Sequence, residues 1–511
     1  MNTLFGTAKS RYTLFLLMLC VLSQGQDNWD AIIQNNLKDI IWQHKEFVSI
    51  PNLPENQELM LQNMNWVSDQ FKILNFKSSS LKSSTLPILF LEKEYHPKLK
   101  TVLFYFHLDG QPVDAANWNQ NDPFKPVLKN KDDQDNWKPI NWDTINHNID
   151  DEWRIFARAA ADDKAPIIML LNALKILNSK SIEPLFNIKI VFDPQEEYGS
   201  DAFLSTLNQY QSRYAADAMI IMDGPAHESN KPTLTFGCRG IATCTITTYG
   251  AKLPQHSGHF GNYVPNPVFS LSSIISSMKD ENGKVLIKDF YSGINLSAEE
   301  QVILNNVPDN PKALNTRLGI SRSETVGKNY QEALQYPSLN IRQIETSWKG
   351  DKPKTVIPEF AKANIDVRLV VETDGKTQLD KVKLHIEDLG YLVLDREPSD
   401  EERLKYSKIV KFTRSNGVNA FRTNLNSTVG TALRQSLTSA FDEPPISIRT
   451  MGGTVPIISA VKTLNITAII VPMVNMDNNQ HSPNENIRIG NIREGIKMCI
   501  AILQTKFKTT G

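Results

Sequence analysis

The residues of this chain best suited to hold metal are spread along its length: His107-Leu108-Asp109, Asp162-Asp163, Glu196-Glu197, Asp223 and His481. Mixed imidazole and carboxylate ligands suit zinc, with manganese or cobalt as alternatives and calcium disfavoured. Two ions about 3.5–4 Å apart and bridged by one carboxylate would together activate a water and polarise a carbonyl. Within Glu196-Glu197, one side chain can bind metal while its neighbour stays free as a base. His107 and Asp109 share one face of a strand at spacing two, so Asp109 could orient the imidazole. Taken singly, such pieces are more often surface pairs, solvated acidic turns or helix caps. Their recurrence at equivalent places carries the reading, because so many clustered carboxylates repel one another unless cations hold them.

Those places are the ends of apolar strands. Runs rich in β-branched and aromatic residues recur at 101–106, 153–157, 188–192, 218–222 and 466–473, and each leads into one of the groups above. Helical patterns lie between several of them, clearest at 166–177 and 202–207. Continuous apolar strands alternating with helices predict an α/β domain with a mostly parallel central sheet covered on both faces. In such sheets functional groups collect beyond the carboxyl ends of the strands. The stretch from Gly237 to Lys411 reads differently. It has an alternating strand at 241–249, a helix at 267–278, strands near 339–346 and 361–371, and a helix at 378–389. This predicts an inserted α+β domain of helices on an antiparallel sheet. Residues 305–329 read as a long polar loop, and the expanded segment 118–151 reads as a candidate part of the pocket rim.

Composition narrows the class. At 511 residues, with 41% hydrophobic and 22% charged residues, the chain has room for more than one packed domain. A formal net charge of -1 offers no field for nucleic acid or anionic lipid. Lys9 and Arg11 precede an apolar run from Tyr12 to Leu22 and then Ser23-Gln24-Gly25, a pattern that predicts an export signal cut before Gln26. The run is shorter than the about 20 residues a membrane span needs. The mature protein is therefore expected outside the cytoplasm, periplasmic or secreted, without a stable membrane span. Cys238, Cys244 and Cys499 are too few for a disulfide framework and read as buried thiols.

The segments FHLDGQPV, ARAAADDKAP, PQEEYGS, MIIMDGP, PQHSGHFG, MGGTVPI and DNNQHSPNEN extend, in order, over most of the mature chain. Together they resemble the M20 metallopeptidases, which include carnosinase-like dipeptidases, glutamate carboxypeptidases and acyl-amino-acid deacylases. The resemblance implies a zinc-peptidase-type catalytic domain, residues 26–236 and 412–511 after a signal peptide at 1–25, split around a lid or dimerisation domain at 237–411. It implies two divalent ions, the first held by His107, Asp162 and Asp223 and the second by Asp162, Glu197 and His481. It further implies a cis Asp162–Asp163 peptide, Glu196 as general base and His256 as the group that stabilises the oxyanion. In dimeric relatives that histidine comes from the partner subunit, so a homodimer is expected. Thr355 and Arg368 match lid residues that hold substrate, and Gly452 and Gly453 would let backbone N–H groups approach it.

Arg368 could instead form a lid salt bridge, and the glycines a tight turn. His259 reads as a bystander, and His44, His96, His147, His227 and His385 as surface or packing residues. Two departures stand out. Ala157-Arg158-Ala159 replaces the Gly-Arg-Gly of many relatives, and Met451 stands where carnosinase-like dipeptidases carry a glutamate. The expected activity is hydrolysis of a peptide or amide bond in a small substrate. The alternatives are an N-acyl-amino-acid deacylase and, more distantly, a non-catalytic binding protein on the same fold.

Overall fold

The computed structural model describes residues 28–507 apart from 349, 351 and 353; the expected signal segment lies outside them. Its centre is an eight-stranded sheet. The strand order is Lys77–Leu81, Ile88–Lys93, Asn187–Asp193, Thr101–His107, Ala218–Ile221, Ala468–Ile470, Thr233–Thr235 and Ile446–Ile448. The middle four, from Asn187–Asp193 to Ala468–Ile470, are mutually parallel, so their carboxyl ends share one edge. Along Thr101–His107, Val102, Phe104 and Phe106 enter one hydrophobic cluster while Leu103 and Tyr105 enter another. Both faces are buried, which is why these strands read as unbroken apolar runs.

Helix Lys164–Ser179 is buried along nearly its whole length, between the sheet side and the helices Trp29–Val48 and Ile489–Leu503. A helix apolar all round requires such a position. The second unit is a five-stranded sheet ordered Ser338–Thr346, Phe360–Leu369, Gly240–Tyr249, Ile409–Val418 and Leu392–Leu394. Its three longest pairings are antiparallel. Gly240–Tyr249 alternates buried and half-buried residues at period two, so one face packs on the core, where helices Pro267–Met278 and Gly375–Asp388 lie. No helix among the described residues is long and apolar enough to cross a membrane. Cys238, Cys244 and Cys499 are free and buried.

Three local expectations need correction. The strand Arg154–Phe156 pairs with Val127–Lys131 and Asn486–Arg488 in a separate four-stranded sheet, not in the central one. Trp137–Pro139 completes that sheet, so the expanded segment 118–151 builds a hairpin there. The stretch 305–329 is not a plain loop: helices Ala298–Asn305 and Pro311–Leu318 run into and through it. Each has a local start signal, the capping box of Ser297 with Glu300 and the Asn310 cap before Pro311.

Candidate metal centre and cavity

The parallel strands deliver the acids and histidines to their shared carboxyl edge. In spatial order, Asn187–Asp193 leads to Glu196-Glu197, Thr101–His107 ends on His107, Ala218–Ile221 precedes Asp223, and Ala468–Ile470 feeds the loop bearing His481. Asp162 and Asp163 arrive from the other direction, at the start of helix Lys164–Ser179, with a cis peptide between them.

Two groups of potential ligand atoms result. One contains His107, Asp162, Asp163 and Asp223, the other Asp162, Glu197 and His481, each with its atoms within 4.8 Å of one another. Asp162 belongs to both. Its Oδ1 lies 2.9 Å from His107 Nε2 and its Oδ2 3.2 Å from His481 Nε2, and the latter is 3.1 Å from Glu197 Oε2. Ligand atoms about 2.0 Å from a tetrahedral zinc sit roughly 3.3 Å apart, so these donors fit a pair of divalent cations bridged by Asp162. Asp163, which the resemblance assigned to neither ion, joins the first group and also accepts the His107 backbone N–H at 3.2 Å.

Electrostatics agree with a site built for cations. Burial lifts the Asp223 carboxyl to about 6, with the Asp162 charge adding to it. Burial also pushes Glu196 well above the usual carboxylate range, helped by Asp223 and opposed by His107. Hydrogen bonding to Asp162 and Glu197 raises His481 to about 10. Despite its burial, the Asp162 carboxyl moves the other way, held down by its hydrogen bonds to His107 and His481.

A second layer of contacts holds these groups. Asp109 is fully buried; its Oδ1 accepts the Glu196 N–H at 3.0 Å and its Oδ2 the Glu197 N–H at 3.1 Å. The His107 Nδ1 lies 3.0 Å from the Asp109 carbonyl and 3.4 Å from its Oδ1. Asp109 therefore fixes both His107 and the glutamate turn. Gln111 Nε2 donates to Glu197 Oε2 at 2.8 Å. Glu485 is buried too, and accepts from the backbone N–H groups of Ala159, Ala161 and Asp162, each at 3.0 Å, and from Arg158 Nη1 at 2.7 Å. It sits four residues after His481, and so ties that ligand's loop to the Asp162 backbone.

Ala159 occupies the left-handed region, φ 60, which costs a residue with a β-carbon roughly 1–2 kcal/mol relative to glycine. Part of that relief is offset by the greater unfolded-chain freedom of glycine. Ala159→Gly is expected to stabilise the protein by about 0.5–1 kcal/mol, measured as a higher urea midpoint; a lower midpoint would contradict this account of the backbone.

A cavity of about 600 Å³ opens beside the cluster and is lined by Asp162, Glu196, Asp223 and His481 on its metal side. Arg368, Gly452 and Gly453 also line it. A β-carbon on Gly452 would meet Leu334 at 3.3 Å and one on Gly453 would meet Met451 at 3.4 Å, so bare backbone is presented there. Arg368 Nη1 donates to Thr454 Oγ1 at 2.8 Å, and its Nε stands 3.7 Å from Asp366, so the cavity position and the lid ion pair coexist. Thr454, unremarked in the sequence reading, lines the cavity as well. So does His227, read from the sequence as a surface or packing residue.

His256 and Thr355 lie together but elsewhere. The strand Gln255–His256 pairs with Val356–Ile357, and the Ser257 N–H donates to the Thr355 carbonyl at 3.0 Å. Both residues are exposed and neither lines the cavity. The His259 ring lies beside that of His256, centroids 4.7 Å apart.

Comparison with known proteins agrees with this site. Residues 103–505 match Peptidase family M20/M25/M40. A Cys-Gly metallodipeptidase of Schizosaccharomyces pombe is 26% identical over 431 residues, 81% of each chain. The Beta-Ala-His dipeptidase of Homo sapiens is 26% identical over 427 residues, 81% of this chain and 76% of its own. Among solved structures, an M20 family metallo-carboxypeptidase from Sulfolobus solfataricus superposes with a TM-score of 0.72 at 25% identity, covering 91% of this chain and 98% of its own.

Proposed function

Because the chain belongs to Peptidase family M20/M25/M40, we propose that it is a dinuclear metal-dependent dipeptidase or related exopeptidase, exported from the cytoplasm and active as a homodimer. The observation that carries the reading is the pair of ligand groups sharing Asp162 beside a cavity that Asp162, Asp223 and His481 help to line. The metallodipeptidase relatives favour a small peptide over an N-acyl amino acid as substrate.

In this reading His107, Asp162 and Asp223 hold one divalent ion, and Asp162, Glu197 and His481 the other. Zinc suits the donors best. The bound ions supply Lewis-acid polarisation of the scissile carbonyl. Glu196 takes a proton from the attacking water and passes it to the leaving amine. The fork of Arg368, braced by Thr454, receives the substrate carboxylate. Residues 237–411 act as a lid whose exposed His256 serves the active site of a second copy, which accounts for its distance from its own cavity. Leu253, Tyr263 and Phe269 near it are 69%, 84% and 78% exposed, apolar surface suited to such an interface.

The test is hydrolysis of a panel of dipeptides and N-acyl amino acids after chelation and after return of zinc, manganese or cobalt. Turnover is expected to vanish with the chelator, to return with metal and to favour dipeptides. Two bound metals per chain with no turnover of any panel member would remove the catalytic reading.

A further inference from the structure

The cavity carries two carboxylates beyond the metal cluster. Glu228, five positions after Asp223, lines the cavity wall, and Asp309 joins it from the turn before helix Pro311–Leu318. Asp309 is held from behind: His227 Nε2 lies 3.2 Å from its Oδ1, and Gln331 Nε2 donates to its Oδ2 at 2.9 Å. Among the described residues neither Glu228 nor Asp309 has a lysine or arginine nitrogen within 4.0 Å. The wall also holds a buried acceptor without a partner. Gln331 lines the cavity, is 2% exposed, and its Oε1 has no hydrogen-bond partner. Buried acceptors of this kind are costly unless a donor reaches them.

Two guanidinium groups share the cavity with this wall, and neither reaches its carboxylates. Arg317 lines the same cavity from helix Pro311–Leu318, and Arg239 donates to Ser338; neither pairs with Asp309 or Glu228 among the described residues. Arg368 is braced by Thr454 and keeps its charge for the substrate carboxylate. Met451 gives its part of the lining no charge. The cavity thus has a cationic fork, the metal cluster, the Arg317 guanidinium and an acidic wall that, among the described residues, no lysine or arginine pairs.

Resting on the peptidase reading of this cavity, we propose that Asp309, Glu228 and Gln331 form a subsite for a substrate ammonium group. Two carboxylates and an amide oxygen supply acceptors only, which matches a group with three donors and no acceptor. The ammonium is the free N-terminus of a dipeptide or the side chain of a basic residue, and the two sources separate by assay.

The measurement uses the metal-loaded full chain and pairs of substrates that differ by one amine. Ala-Leu against propionyl-Leu isolates the N-terminal ammonium; N-acetyl-Lys-Leu against N-acetyl-norleucyl-Leu isolates the side-chain ammonium. Each kcat/KM ratio comes from one preparation, so partial misfolding cancels. Asp309→Asn and Glu228→Gln are expected to lower the ratio of one pair by about 10–100-fold, the loss of a hydrogen bond to a charged group. The pair that responds identifies the source. Ratios that stay put in both variants overturn the subsite. Should wild type cleave none of these compounds, the peptidase reading fails, and calorimetric binding of Ala-Leu and propionyl-Leu still decides the subsite. A preference for Ala-Leu that Asp309→Asn erases would uphold it, and equal binding would overturn it.

Discussion

Glu196→Gln is expected to lower kcat by about 10²–10⁴-fold, the usual contribution of a positioned general base, while KM and metal content stay near those of the wild type. The argument rests on what Glu196 does not touch. It belongs to neither ligand group, yet it lines the cavity next to both. Its backbone N–H is anchored on Asp109, so the turn keeps its shape when the side chain becomes an amide. Glutamine retains the volume and loses only the ability to take up a proton. The neighbouring Glu197→Gln supplies the contrast. Its Oε2 stands 3.1 Å from His481 Nε2 in the second ligand group, so that change is expected to lose bound metal. Metal analysis by mass spectrometry beside steady-state kinetics separates the two. If Glu196→Gln also stripped metal, the division of labour between adjacent glutamates would be wrong.

The strand-end chemistry was legible because the middle strands are buried on both faces, which leaves an unbroken apolar run that stops abruptly at a polar residue. His107 and Asp223 sit at such a stop, Glu197 and His481 follow one on a turn and a loop, and the structure brings all four to one edge. Arg154–Phe156 shows the limit of that signal. Its run looks like the others, but three residues cannot reveal which sheet they join, and their partners lie at Val127–Lys131 and Asn486–Arg488. The helices at 298–305 and 311–318 were hidden for another reason. Their residues are largely exposed, so periodicity is faint and only the caps mark them. His227 had no local context because its partner, Asp309, is 82 residues away. Cavity walls assembled from distant turns leave no spacing to read.

Glu485→Ala is expected to destabilise the protein by about 3–5 kcal/mol, the range for removing one member of a buried charge pair, and to weaken metal binding as well. The residue lay within a motif segment, yet its importance follows only from contacts more than 300 residues away in sequence. Its loss strands the Arg158 guanidinium, 3% exposed, and leaves the Ala159, Ala161 and Asp162 N–H groups without their acceptor. Glutamine is a poor substitute, because its amide nitrogen would point a donor at donors. Arg158→Met is the informative comparison. It removes the charge partner but leaves Glu485 with its backbone donors, so the stability cost should be clearly smaller than for Glu485→Ala. Urea unfolding gives the order of the two. The effect on metal follows from geometry: the Asp162 N–H is fixed by Glu485 while the Asp162 carboxylate faces both imidazoles. Zinc titration of folded Glu485→Gln should show weaker binding than wild type under the same buffer. Equal zinc affinity would confine Glu485 to stability and detach it from the metal centre.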